Sequence, residues 1–342
     1  MKVLLIRLSS LGDVVLATAA VEALRAELPD AEVHVLTKPA FREVFRNHPA
    51  VARCLEWEPG EGLAPLADRV RRAGYDRVVD LHGNLRTRAL RALTPTVRWS
   101  RYRKGSVRRR VAVWLRKPAL LDRTHVVDRY VRALAPLGVR PVRRLPRVFP
   151  AEADRGRAEA LLRAAGWAGE PLIGLAPGAR WPTKAWPEAH WRELVGLIRQ
   201  GAWGFPVVVG GAADRELAGR VLGGCPGANL AGETSILETA AVLERCGVLV
   251  TNDSAPLHLA TAVGTRVVAL FGPTVTGFGF YPLGPLDRVL ERPEPCRPCS
   301  LHGGGRCRLG HHRCLADLKP KDAMSMLFRN LTTPGQKKRS PI

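Results

Sequence analysis

The chain alternates short apolar runs with polar or glycine-rich turns. Residues 3–6 are an apolar run, read as a buried strand, and Ser9-Ser10-Leu11-Gly12-Asp13 follows as a turn. Residues 14–28 have Ala-rich helical composition and stop before Pro29-Asp30. Residues 32–37 alternate polar and apolar, and 77–81 give another strand that runs into His82-Gly83-Asn84. Strand, helix, strand in this order predicts parallel βαβ units. Residues 138–152 carry three prolines and no helical period, which marks a linker. Beyond it the pattern restarts, with strands predicted at 173–176, 206–209, 248–250 and 267–271. Helices are predicted over 187–199, from a capping box at Ser235 to Arg245, and over 257–263. The reading is an α/β chain of two doubly wound domains, 1–150 and 151–332, with a frayed basic tail at 333–342. In such domains ligands sit at the carboxyl ends of the strands, so the loops just named are the candidates.

A length of 342 residues suits two domains, and 46% hydrophobic residues excludes disorder for the bulk of the chain. No apolar stretch is long enough for a transmembrane helix. Arg7 interrupts the first apolar run and Gly12-Asp13 ends it, so no secretory signal is read and a cytosolic chain is expected. The seven cysteines are then free thiols or metal ligands. Charge changes the picture more. Of a net charge of +22, most lies between Arg86 and Arg147, where 19 Lys and Arg face only Asp122 and Asp128. A solvated arginine-rich face accounts for part of this, but such a block more often meets a polyanion. Nucleic acid, an anionic membrane and a phosphorylated glycolipid all qualify. Trp99, Tyr102 and Trp114 suit base stacking and a lipid interface equally.

Four segments carry candidate chemistry. Asp13, at a strand-to-helix junction, either takes a proton from a substrate hydroxyl or caps the helix. No Gly-x-Gly-x-x-Gly follows the first strand, which argues against a nicotinamide cofactor. Residues 251–258 (TNDSAPLH) link a strand to a helix whose free N–H groups suit a diphosphate. There Asp253 and Ser254 are ligands or caps, and His258 is a ligand or a structural histidine. Lys184, in WPTKAWP, is a placed point charge for a leaving phosphate or a surface lysine between packing tryptophans. Cys296, Cys299, Cys307 and Cys314 offer four soft ligands within 19 residues, for a structural zinc or iron ion or simply as packed thiols. His302, His311 and His312 are substitutes.

Together these segments resemble the family 9 glycosyltransferases, the lipopolysaccharide heptosyltransferases. The resemblance rests on MKVLLIRLSSLGDVVLATAAV, WPTKAWPEAHW, TNDSAPLHLATAVGTRVVALFGPT and the cysteine-rich stretch ending GHHRCL, and it covers residues 1 to about 330. Two departures stand out: Gly178-Ala179 where the family often has hydroxyl residues, and Ala255 where Gly is commoner. The resemblance implies a GT-B architecture, two Rossmann-like domains facing a central cleft. The donor would be ADP-heptose, held by Gly178, Lys184, Glu216, Asp253, Ser254, Ala255 and His258. The acceptor would be a phosphorylated inner-core sugar on lipid A, met by Ser9, Ser10, Gly12, Arg86 and Arg88. Asp13 would act as general base with inversion at the anomeric carbon. No Asp-x-Asp clamp is visible, so no cofactor is expected for catalysis. The enzyme would dock by charge on the cytosolic face of an anionic membrane, with no nucleic acid partner. Rival readings are a family 9 enzyme for another sugar or acceptor, a sugar-nucleotide binder without turnover, and a nucleic-acid-binding protein.

Overall fold

A computed structural model describes residues 1–332, and the tail predicted at 333–342 lies outside the described residues. The first half carries β1 (Lys2–Ile6), β2 (Glu32–Thr37), β3 (Arg53–Glu56), β4 (Arg77–Asp80) and β5 (Trp99–Arg101). Its helices are α1 (Leu11–Glu27), α2 (Leu63–Arg72), α3 (Leu85–Ala92), α4 (Ser106–Trp114) and α5 (Val126–Arg132). The second half carries β6 (Leu172–Ala176), β7 (Phe205–Val208), β8 (Ala228–Asn229), β9 (Cys246–Asn252), β10 (Arg266–Phe271) and β11 (Arg288–Glu291). Its helices are α6 (Glu152–Ala164), α7 (Glu188–Gln200), α8 (Arg215–Leu222), α9 (Ile236–Arg245), α10 (Ala255–Ala262), α11 (Arg313–Ala316) and α12 (Pro320–Thr332).

Each half folds around one parallel sheet, in the order β3-β2-β1-β4-β5 and β11-β10-β9-β6-β7-β8. The central strands are apolar on both faces because helices cover both, and Val3, Leu4, Leu5 and Ile6 are all buried. Strand order reverses between β1 and β4 in the first sheet and between β6 and β9 in the second. Ile6 pairs with Asp80, and Ala176 with Thr251, so each reversal opens a crevice at the carboxyl ends of those strands. The loops carrying Asp13, His82, Lys184 and Asp253 leave from these four strand ends.

The two halves meet through named contacts. The Glu43 carboxylate accepts the N–H groups of Ile236 and Leu237 at 3.1 and 3.2 Å, so a side chain of the first half serves the N-terminus of α9. Val126 donates its N–H to Gly279 at 2.9 Å, and His125 Nε2 bonds the Tyr281 carbonyl at 3.0 Å. A close approach joins α1 to α10: a Cβ on Gly12 would lie 2.6 Å from His258 Cδ2. Only glycine lets the two helices approach this far. Gly12→Ala is therefore expected to cost about 1–3 kcal/mol by overpacking, read as a lower thermal midpoint. An unchanged midpoint would show that the helices part easily. Among the described residues no helix is long and apolar enough to cross a membrane.

Candidate active site

Sequence placed the start of the first helix at residue 14, with Asp13 before it as either a base or a cap. The helix begins at Leu11 instead, Ser10 occupies the cap position, and Asp13 lies in the first turn. Its carboxylate faces Arg7 Nη2 at 2.8 Å and accepts the Ser10 hydroxyl at 3.0 Å. Tyr130 donates its hydroxyl from 3.5 Å. A simple cap has no use for a buried guanidinium and a phenol from α5. Burial alone would raise the Asp13 carboxyl, but Arg7, the Ser10 hydroxyl and His258 outweigh it and hold it below the ordinary carboxylate range. Asp13 is thus ionised at neutral pH, with 21% of its side chain still open.

Arg7 is fixed by the Leu81 carbonyl at 2.7 Å and lies over the Tyr130 ring. Around it stand His82, Tyr102 and Lys104, each near enough to feel both Arg7 and Asp13. Arg7 Nε, His82 Nδ1 and Arg109 Nε are buried without a hydrogen-bond partner among the described residues. Such atoms gain most when a polar ligand arrives. Asp80 holds the neighbouring turn, accepting the N–H groups of His82 and Gly83 at 2.9 and 2.7 Å and the Thr87 hydroxyl at 2.7 Å. Ser9 is half-buried, and Ser10 is exposed. Arg86 and Arg88 are exposed on the first turn of α3, and Arg88 is near enough to act on Lys104. Gly12 is the exception among the expected acceptor residues. It is buried against His258 and serves the contact between helices.

Opposite, Lys184 ends a short helical turn after β6, and Asp253 leaves β9. Lys184 Nζ sits 2.6 Å from Asp253 Oδ2, which also accepts the Thr274 hydroxyl at 2.7 Å. The lysine is therefore not a solvated surface group, and Asp253 is not a helix cap. Asn252 ties the two loops, accepting the Trp186 N–H at 3.1 Å and donating to the Pro177 carbonyl at 2.7 Å. Ser254 is the N-cap residue of α10, and its side chain makes no capping bond. Ala255 and Pro256 form the first turn, which leaves its N–H groups available. His258 lies one turn further on. Burial pushes it down to about 4, against the pull of Asp253 and Asp13. One ring thus feels the aspartate of each domain, and it is neutral at physiological pH.

Two expected donor residues stand apart from this cluster. A Cβ on Gly178 would meet the Asp214 carboxylate at 2.4 Å, so no hydroxyl residue fits there without moving Asp214. Glu216 is exposed on α8 and makes no hydrogen bond or ion pair among the described residues. It is Asp214 that reaches the loop, accepting the Gly211 N–H at 2.9 Å.

Cys296, Cys299, Cys307 and Cys314 are free thiols lining one cavity of about 80 Å³. Burial pushes Cys314 up to about 11, and the other three thiols add to the shift. His311 and His312 line the same cavity, and the His311 ligand atom lies within 4.8 Å of those of Cys296 and Glu294. His312 also bonds the Thr183 carbonyl at 2.8 Å, while the Thr183 hydroxyl bonds the Gly304 carbonyl at 3.0 Å. The cysteine-rich segment thereby braces the turn that carries Lys184. His302 reaches the cleft, where Asp13, Lys184, Arg109 and Lys104 all act on it.

Sequence reasoning overlooked Arg7, Lys104, Arg109 and Tyr130, gave His82 no role beyond its place in a candidate loop, and took His302 for a substitute metal ligand. Arg7 left a signal, a charge directly after a buried strand. The others are distant in sequence and are joined only by the fold.

The buried histidines predict an acid sensitivity. Burial pushes His125 down to about 3, so it is neutral when folded. An unfolded histidine takes its proton near pH ~6.5. On acidification the unfolded state binds more protons, so stability is complete above that value and is lost as pH falls toward the folded one. The thermal midpoint is expected to drop steadily between about pH 6.5 and 4, less steeply in His125→Asn. A slope unchanged by that substitution would overturn the neutral assignment.

The glycosyltransferase family 9 (heptosyltransferase) model matches residues 63–303. Lipopolysaccharide heptosyltransferase 1 of Pseudomonas aeruginosa is 30% identical over 321 residues, 87% of this chain and 86% of its own. The family 9 glycosyl transferase of Veillonella parvula superposes with a TM-score of 0.81 at 22% identity, covering 97% of this chain and 98% of the other. The E. coli ADP-heptose lps heptosyltransferase II gives 0.75 at 24% identity, covering 97% and 98%. With a GT-B fold of two facing parallel sheets and a family match over most of its length, the chain belongs to glycosyltransferase family 9, the heptosyltransferase family.

Proposed function

We propose that this enzyme moves a heptose from ADP-heptose to a phosphorylated inner-core sugar of lipid A, at the cytosolic face of the membrane. One observation carries the reading. Asp13 from one domain follows Gly12, which packs against His258 of the other, and the Lys184–Asp253 pair stands near the same ring across one cleft. A base on the acceptor side and a cation on the leaving-group side are what in-line sugar transfer needs. The acceptor oxygen bonds to the anomeric carbon as the bond to the departing diphosphate breaks, and the configuration inverts. The hydroxyl becomes acidic as its oxygen forms the new bond, so a carboxylate with a low pKa suffices to take its proton. Lys184 and the N–H groups opening α10 stabilise the charge gathering on ADP, the work a divalent ion does elsewhere. His258 contributes a hydrogen bond to phosphate or ribose and not a charge. Arg7, Lys104 and Arg88 offer positive charge to the acceptor phosphate. Glu216 would reach a ribose only at the rim of the site.

The four cysteines suit a structural zinc or iron ion by their chemistry, soft sulfur ligands that all line a cavity of about 80 Å³, although the ligand atoms that lie within 4.8 Å of one another are those of Glu294, Cys296 and His311. Cys296, Cys299, Cys307 and Cys314 would hold it, His311 standing by, and binding would displace thiol protons. Its effect would be to fix the segment that braces Lys184. Purified protein is expected to contain stoichiometric zinc or iron by elemental mass spectrometry, lost in Cys296→Ser/Cys299→Ser together with a lower thermal midpoint. Full metal content in that variant would contradict the assignment.

The substrate reading is tested with a panel of ADP-, GDP- and UDP-linked sugars and an inner-core lipid A acceptor, scored by mass gain of the acceptor. Gain of one heptose from ADP-heptose alone is expected. Gain only from another sugar nucleotide would keep the family and move the substrate.

A further inference from the structure

Among the described residues the outward apolar stripe of α4 has no partner. Val107 is 75% exposed and Trp114 81% exposed, and Val111 and Leu115 are exposed as well. At helical spacing these four fall on one stripe, and Arg108 and Arg110 flank it on either side. Arg108, Arg110, Arg116 and Lys117 form no ion pair among the described residues, whereas Arg129, Arg140, Arg143 and Arg144 of the same basic block do. Beside Trp114 a cavity of about 440 Å³ opens, edged by Arg110, Arg116 and Arg308, and it is shared with the cysteine-rich segment, since Cys296, Cys299 and Cys307 line it too. The opposite side of α4 belongs to the cleft: Ala112 packs with Leu121, Val275 and Phe278, and Arg109 donates to the Phe278 carbonyl at 2.7 Å. Tyr102 and Lys104, which face Asp13, lie just before this helix.

An aliphatic stripe edged by guanidiniums without a carboxylate partner, Arg108 bonding only the Leu120 carbonyl, suits one kind of surface. A second copy of the chain would bring the same arginines face to face. Nucleic acid would use the arginines and Trp114 but has nothing to offer Val107, Val111 and Leu115. A bilayer bearing anionic headgroups satisfies both, burying the stripe at the acyl boundary while the arginines reach phosphate. We propose that the outward face of α4, Val107, Val111, Trp114 and Leu115 between Arg108 and Arg110, seats the enzyme on an anionic phospholipid bilayer. It thereby holds the acceptor end of the cleft against the membrane. The last clause rests on the membrane-borne acceptor proposed above; the docking surface does not.

The test is sedimentation of the full chain with vesicles of phosphatidylcholine, alone or mixed with phosphatidylglycerol, at low and high salt. The wild type is expected to bind the mixed vesicles and to release in high salt. V107S/V111S/W114S should lose more than about tenfold in affinity with an unchanged thermal midpoint, and R108Q/R110Q should lose the salt-sensitive part. Wild-type protein left in the supernatant with mixed vesicles would overturn the proposal, and so would equal binding by the triple variant. Binding to single-stranded RNA that the triple variant loses, without vesicle binding, would reassign the face to nucleic acid. No sugar donor is present, so failure here leaves the transfer reading standing, and failure of transfer leaves the vesicle result standing.

Discussion

Asp13→Asn is expected to lower kcat by about 10²–10⁴ and to leave the Kd for ADP-heptose unchanged. Asn keeps the shape and can still accept from the Ser10 hydroxyl, so the turn at the start of α1 persists. What disappears is the group that takes the proton. The variant also leaves Arg7 buried beside a neutral side chain, and a buried charge without its partner is costly. A lower thermal midpoint should therefore accompany the loss of turnover. The two effects are separable. Arg7→Gln/Asp13→Asn should regain stability without regaining turnover. If Asp13→Asn changed only the melting temperature, the carboxylate would be a structural partner of Arg7 and no base.

Lys184→Ala should cost about 10²–10³ in kcat and raise the KM for the donor. The lysine stands where charge collects on the leaving diphosphate, and it is held there by Asp253 at 2.6 Å. Removing it leaves that aspartate buried without a counter-ion, at a stability cost of about 3–5 kcal/mol. Lys184→Ala/Asp253→Asn should melt near the wild type and remain slow. Recovery of both stability and turnover in the double variant would mean that the pair only holds the loop together.

The centre of each sheet was legible in the sequence and its margins were not. The strands read at 3–6, 32–37, 77–81, 173–176, 206–209, 248–250 and 267–271 are all interior, and most are continuous apolar runs because helices bury both faces, 32–37 and 77–81 being the ones that carry polar residues. The strands that sequence reasoning left out are β3, β5, β8 and β11, the four edges. They are short and carry residues such as Arg53, Arg101, Asn229 and Arg288, since an edge strand is half solvated and its register is set by its neighbour. Local chemistry was legible where backbone and side chain agree. The Ser235 capping box opens α9 as read, with the Ser235 hydroxyl accepting the Glu238 N–H at 3.2 Å. At Asp13 the start of the helix was misjudged by three residues, because Leu11 and Gly12 read as turn and nothing in the sequence announces the partner α10. Arg7 and Asp13 lie close in the chain, but their meeting with Tyr130 and His258 depends on how the two sheets face each other. Nor could sequence say that Gly12 serves the contact between domains, or that Asp253 pairs with Lys184.

The most direct test of the account is release of ADP from ADP-heptose by wild-type protein and Asp13→Asn, with and without an inner-core lipid A acceptor. Rapid, acceptor-dependent release by the wild type and near-background release by the variant are expected, with both binding the donor equally. Equal release by the two proteins would contradict this, and so would donor binding by the wild type with no release on any phosphorylated inner-core acceptor.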